Sequence, residues 1–174
     1  HTASVPDAVV LNSEEHMYTN AEAPFNPLGN ETLAPMQGAV HALLENHYHV
    51  DINDEATLAG HVEDYNLVVI AEQSPVGDKI MEAAVDYARG GGTVLMTGLD
   101  VAVDHPEIVG AESAGEIIEG RWHLPVARKA ATVSMQWRPV AVNDAQVYCK
   151  LLDEQEPERD ETEWPAVTIR PIGK

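Results

Sequence analysis

The chain has 174 residues, 44% hydrophobic and only 5% aromatic, enough for one compact domain around an aliphatic core. Ten Lys and Arg against 29 Asp and Glu give a formal net charge of −19, which repels phosphate backbones and anionic lipid and so argues against nucleic acid and membrane surfaces as partners. The single cysteine, Cys149, excludes an intrachain disulfide and a cysteine-based metal cage. So strong an acidic balance reads as solubility, with adaptation to a saline environment as the alternative given only four lysines. No apolar run approaches the ~20 residues of a membrane span, and "HTASVP" lacks the basic start and apolar core of a signal peptide.

In chain order, "DAVVLNSE" (7–14) is a valine-rich run that predicts a strand buried on both faces. The Pro/Asn/Gly-rich "NAEAPFNPLGNET" predicts a loop. "LAPMQGAVHALLENHY" then places Met36, Val40, Leu43 and Leu44 on one helical stripe over 33–48. "HVDIND" is a second strand, "EATLAGHVEDY" a connecting helix and "NLVVIAEQ" a third strand. "DKIMEAAVDYARGGG" aligns Ile80, Ala84 and Tyr87 with Met81, Val85 and Ala88 on one helical face over 78–90, and "TVLMTG" is the fourth strand. Strands alternating with helices predict a parallel sheet of five or six strands, doubly wound with helices on both faces, because parallel neighbours need crossovers long enough for a helix. From His123 onward the chain reads as a β-rich extension, interrupted by the solvated acidic loop "DEQEPERDETE".

The glycines of "ARGGGTVLMTGLD" have the wrong order for a phosphate loop. Such a loop follows a strand and opens a helix, whereas Gly90, Gly91 and Gly92 close a helix and lead into a strand, an αβ turn that needs positive φ. No G-x-G-x-x-G follows the first strand, so the dinucleotide fingerprint is missing too.

Taken together, "DAVVLNSE", the proline-bearing loop, "MQGAVHALLENHYHVDIND", "YNLVVIAEQSPVGDKIMEAAVDYARGGGTVLMTG" and the late "PAVTIRPIGK" resemble the glutamine-amidotransferase-like domain of multidomain glycoside hydrolases. That domain is best known as the trimerisation domain of certain beta-galactosidases. The resemblance spans residues 7–174 and implies a flavodoxin-like, mostly parallel α/β sandwich. Residues 1–174 are then a single class I glutamine amidotransferase-like domain excised from a larger enzyme, whose last segment continues into one more strand. Catalytic relatives in the wider superfamily hold a nucleophilic cysteine in the turn after the strand matching "TVLM", with a histidine beside it. This chain has Thr97-Gly98 there, and a threonine without a base is a poor nucleophile at neutral pH, so amidotransferase chemistry is not carried over. Cys149, some fifty residues on, reads as a small core residue.

Glu14 and Glu15 follow the first strand at the carboxyl edge, where open α/β sheets bind ligands, and Glu14 with Thr97 and Asp100 forms the candidate ligand pocket; otherwise these are solvated or capping acids. His41, His47 and His49 have no strong metal-ligand spacing, and His16 and His105 stand apart, so neither a metal nor a cofactor is expected. Trp122, Trp137 and Trp164 all fall in the β-rich part, as packing or as a sugar-stacking platform. Asn30-Glu31-Thr32 fits a glycosylation acceptor. The expected function is a non-catalytic accessory or oligomerisation domain of a glycoside hydrolase, with its own subunits or an adjacent catalytic domain of the parent chain as partner. The rival is a small-molecule hydrolase or ligand sensor using the carboxyl-edge pocket.

Overall fold

The structure is a computed structural model that describes residues 5–20, 31–126, 129–153 and 161–173. The glycosylation acceptor Asn30, most of the proline-bearing loop and the centre of the acidic loop lie outside the described residues. The chain divides into two compact units, the first of residues 1–98 with 172–174 and the second of residues 99–171.

The first unit is built on four parallel strands, β1 (Ala8–Asn12), β2 (Val50–Asp54), β3 (Leu67–Ala71) and β4 (Thr93–Thr97), in the order β2-β1-β3-β4. The central pair are the apolar runs AVVLN and LVVIA, with no charge and with β-branched side chains that suit a strand buried on both faces. Val10, Val69 and Ala71 pack under Met36, Ala39, Val40 and Leu43 of helix α2 (Ala34–Glu45). Val9, Leu11, Val68 and Ile70 alternate to the other face and are just as buried, so both faces of the inner strands are covered. Helix α4 (Asp78–Arg89) buries Ile80, Met81 and Ala84 along one stripe, and Gly91 at φ +101° turns the chain into β4. Each fully buried aliphatic side chain of this kind contributes roughly 1.5–3 kcal/mol.

Three expectations are corrected. Among the described residues the parallel sheet has four strands rather than five or six. Leu44 does not join the α2 stripe and is 52% exposed, because Met36, Val40 and Leu43 already span the face turned to the sheet. The connecting helix over 55–65 is broken into a single turn, α3 (Glu55–Leu58), and a 3-10 turn at Val62–Asp64. Asp54 caps the first piece through Thr57 N–H at 2.7 Å, and the buried Leu58 and Val62 pin both.

The second unit begins with two one-turn helices, α5 (Val101–Asp104) and α6 (Pro106–Val109), which the sequence pattern did not reveal. Strands β5 (Ala111–Ser113) and β8 (Val140–Val142) pair antiparallel. The long hairpin of β6 (Ile118–Val126) and β7 (Lys129–Trp137) joins β9 (Gln146–Leu152) and β10 (Glu161–Ile169) in an antiparallel sheet of order β10-β9-β6-β7. β10 takes in the end of the stretch expected to be an acidic loop. The three tryptophans pack on one another, Trp137 lying 5.3 Å from Trp122 edge-on and 5.8 Å from Trp164. Trp137 is buried. After β10 the chain returns to the first unit, where Gly173, at φ +118°, lies against the backbone of Arg89 at the end of α4.

Candidate functional site

The carboxyl edge of the parallel sheet is where the chemistry-bearing residues of the first unit collect. Register pairs Asn12 at the end of β1 with Asp54 at the end of β2, and Ala71 at the end of β3 with Thr97 at the end of β4. Just past β1, Ser13 is fully buried and starts helix α1 (Glu14–Asn20), its hydroxyl accepting from His16 N–H at 3.0 Å and its carbonyl from Met17 N–H at 3.1 Å. The same hydroxyl donates to Glu55 Oε1 at 2.5 Å, and that oxygen also accepts from Gly77 N–H at 3.1 Å where α4 begins. A side chain at Gly77 would meet Glu55 Oε2 at 2.9 Å and Glu15 Oε2 at 3.5 Å. Two carboxylates therefore stand at the positive end of α4, whose own N-cap has no side chain to offer.

Gln73 completes the arrangement. Buried after β3, it accepts from Ser13 N–H at 2.5 Å and donates to Leu11 O at 2.6 Å, closing the gap where the β1 and β3 backbones part. Glu72 before it adopts φ +49°, and its N–H donates to Thr97 O at 2.7 Å, which ties the end of β3 to the end of β4. Ser74 N–H donates to His16 Nδ1 at 3.0 Å, and Asn20 Nδ2 donates to Ser74 O at 2.7 Å. Nearby, Thr57 N–H holds the Asp54 carboxyl below its ordinary value. Burial, and then the Asp51 carboxylate that the hydroxyl donates to at 3.2 Å, raise Tyr65.

The predicted pocket residues divide between the two units. Glu14 is exposed at the start of α1, and Thr97 is exposed at the end of β4, two strand positions away from β1. Asp100 belongs to the second unit, where its carboxylate accepts from Arg138 Nη2 at 2.8 Å while Arg138 Nε donates to Leu99 O at 3.2 Å. The turn after β4 is made by Gly98 at φ +143°, and among the described residues the non-glycine positions with positive φ are His47 and Glu72, so Thr97 is not held in a strained elbow. Cys149 is half-buried on β9 rather than part of the core. Among the described residues no group of three or more His, Cys, Asp or Glu converges as metal ligands would.

Sequence reasoning missed Ser13, Glu55 and Gln73, the residues that organise the edge. Ser13 carried a signal, as a serine between a strand run and a helix. Glu55 and Gln73 carried none, because their partners lie 22 or more residues away.

No protein-family model matches the chain, and no curated protein sequence matches it. Solved structures do. A catalytic mutant of Gan42B, a GH42 beta-galactosidase from G. stearothermophilus, superposes with a TM-score of 0.74 at 15% identity over 99% of this chain and 27% of its own. An exo-beta-1,4-mannosidase from Opitutaceae bacterium strain TAV5 gives 0.69 at 16% over 98% of this chain and 30% of its own. A beta-galactosidase from Rahnella sp. R3 gives 0.67 at 14% over 97% and 27%. The mixed α/β fold, with a parallel four-stranded sheet and an antiparallel β-rich part, is thus a fold found within glycoside hydrolases. The chain spans under a third of the length of these neighbours.

Proposed function

We propose that this chain is a non-catalytic accessory domain of a glycoside hydrolase, of the glutamine-amidotransferase-like type with a flavodoxin-like core, and that it contributes to assembly or to shaping an adjacent catalytic domain. The observation that carries this reading is the asymmetry of the structural match, which is nearly complete for this chain and under a third for the neighbours. The strand order β2-β1-β3-β4 supports the flavodoxin-like assignment, being the start of the order 2-1-3-4-5 of that fold. The absence of amidase chemistry is supported at three positions. Thr97 stands where the resemblance places the cysteine of catalytic relatives, Ser13 is buried beneath its own hydrogen bonds, and Asp100 is engaged by Arg138.

The test has two arms. The chain is assayed against aryl galactosides, mannosides and fucosides and against amide and ester substrates, where no turnover is expected from it or from Thr97→Ala. Turnover that Thr97→Ala abolishes would overturn the non-catalytic reading in favour of a hydrolase. In the parent polypeptide, deleting residues 7–174 is expected to lower the oligomeric state. A parent whose assembly and activity both survive that deletion refutes the accessory role.

A further inference from the structure

We propose that the first unit is a salt-dependent fold, in which mobile cations of the solvent do the neutralising that basic side chains do in the second unit. The first unit, residues 1–98 with 172–174, carries fifteen Asp and Glu against three basic side chains, Lys79, Arg89 and Lys174, whereas residues 99–171 carry fourteen against seven. Two arginines of the second unit are used internally. Arg138 is 17% exposed on Asp100, and Arg170, 23% exposed, holds Asp144 at 2.6 Å while donating to the carbonyls of Glu107 and Ile108 at the end of α6. Among the described residues the first unit pairs its acids with Arg89 on Asp86 and with two exposed histidines, His49 on Asp7 and His61 on Asp64.

The sharpest feature is on α4. Asp78, Glu82 and Asp86 stand at i, i+4 and i+8, all exposed, on the helix whose other side carries Ile80, Met81 and Ala84 into the core. Like charges at that spacing destabilise a helix. The core requires α4, whose acidic ladder Lys79 and Arg89, the latter 2.9 Å from Asp86, offset only in part, and the unit as a whole carries fifteen acids against three bases, so it loses stability wherever the repulsion is unscreened. The screening length falls from about 30 Å at 0.01 M salt to about 3 Å at 1 M, so the whole unit feels its own charge in the first case and only nearest neighbours do in the second.

The molecule carries its own separate probes. Trp122, Trp137 and Trp164 all lie in the second unit, whereas the two long helices, α2 and α4, lie in the first. Tryptophan fluorescence therefore follows the second unit, and the helical far-ultraviolet signal follows the first. The experiment is thermal unfolding of the 174-residue chain by both signals across that salt range, in sodium chloride and in choline chloride. The helical midpoint is expected to rise by about 5–10 °C or more, equally in both salts, and to separate from the fluorescence midpoint at low salt. Glu82→Lys, which turns both ladder repulsions into attractions and removes two negative charges from the unit's balance against one new repulsion from Lys79, is expected to raise the low-salt helical midpoint and flatten its salt slope. Glu119→Lys, an equally exposed charge reversal on β6, is expected to leave that slope unchanged. A helical midpoint that does not move with salt, a rise reproduced by sucrose without salt, or a Glu82→Lys slope equal to the parent's would each overturn the proposal.

Discussion

Gln73 has one side chain and satisfies two buried backbone groups, the Ser13 N–H and the Leu11 carbonyl. Gln73→Ala leaves both without a partner in a place that water does not reach, and such groups cost about 1–3 kcal/mol each. The expected loss is therefore about 2–5 kcal/mol by urea denaturation, and a loss under ~1 kcal/mol would show that the clamp is dispensable. Cys149→Ser should behave differently. The thiol is half-buried on β9, so its replacement is expected to cost at most about 1–2 kcal/mol and to leave assembly unchanged, as denaturation and light scattering would report. The site was legible in the sequence only as a location. An apolar strand followed by Glu14 and Glu15 marks a carboxyl edge, and the edge does gather polar groups there. Which residues interlock is a matter of contacts between distant segments, Ser13 with Glu55 and Gln73, and no local periodicity encodes those.

At the level of elements, β4 and its neighbour β3 share a register but not an environment. Ile70 is 1% exposed, while Leu95, paired to Val69 on the sheet edge, is 45% exposed. Ile70→Ala is expected to cost about 2–5 kcal/mol, and Leu95→Ala under about 1 kcal/mol, measured in parallel by urea unfolding. Equal losses would mean that the edge is covered in solution. Two glycine turns make a second contrast. Gly91, at φ +101°, has open space where a Cβ would go, so Gly91→Ala suffers backbone strain alone, about 1–3 kcal/mol. Gly110, at φ +68°, faces Asp144, the Arg170 side chain at 2.8 Å and Ala145 N at 3.0 Å, so Gly110→Ala adds overpacking to strain and is expected to lower the melting temperature further. The strands and both long helices were readable because they are amphipathic or wholly apolar over several residues. The break after Leu58 and the one-turn helices α5 and α6 were not, since one turn is too short for a period to show.

For the whole molecule, net charge and edge strands oppose one another. β10 is an edge strand that bears Pro165 and three register shifts, devices that discourage pairing with another chain, while β4 is an edge strand of uncharged residues in unbroken register with β3. Self-repulsion from −19 charges keeps chains apart at low salt. Light scattering is accordingly expected to find monomer at low ionic strength, with larger species gaining as salt screens the charge; a monomer throughout would argue that any assembly needs the parent's other parts. The return of the chain to the first unit has a consequence for biosynthesis. The sheet of that unit is complete at Thr97, but its contact between Gly173 and Arg89 waits for the entire second unit to be translated. At a ribosomal pace of about 5–20 residues per second, the first unit therefore spends roughly 4–15 s without its closing stitch, long enough to fold and to be inspected by chaperones while the insert is still emerging.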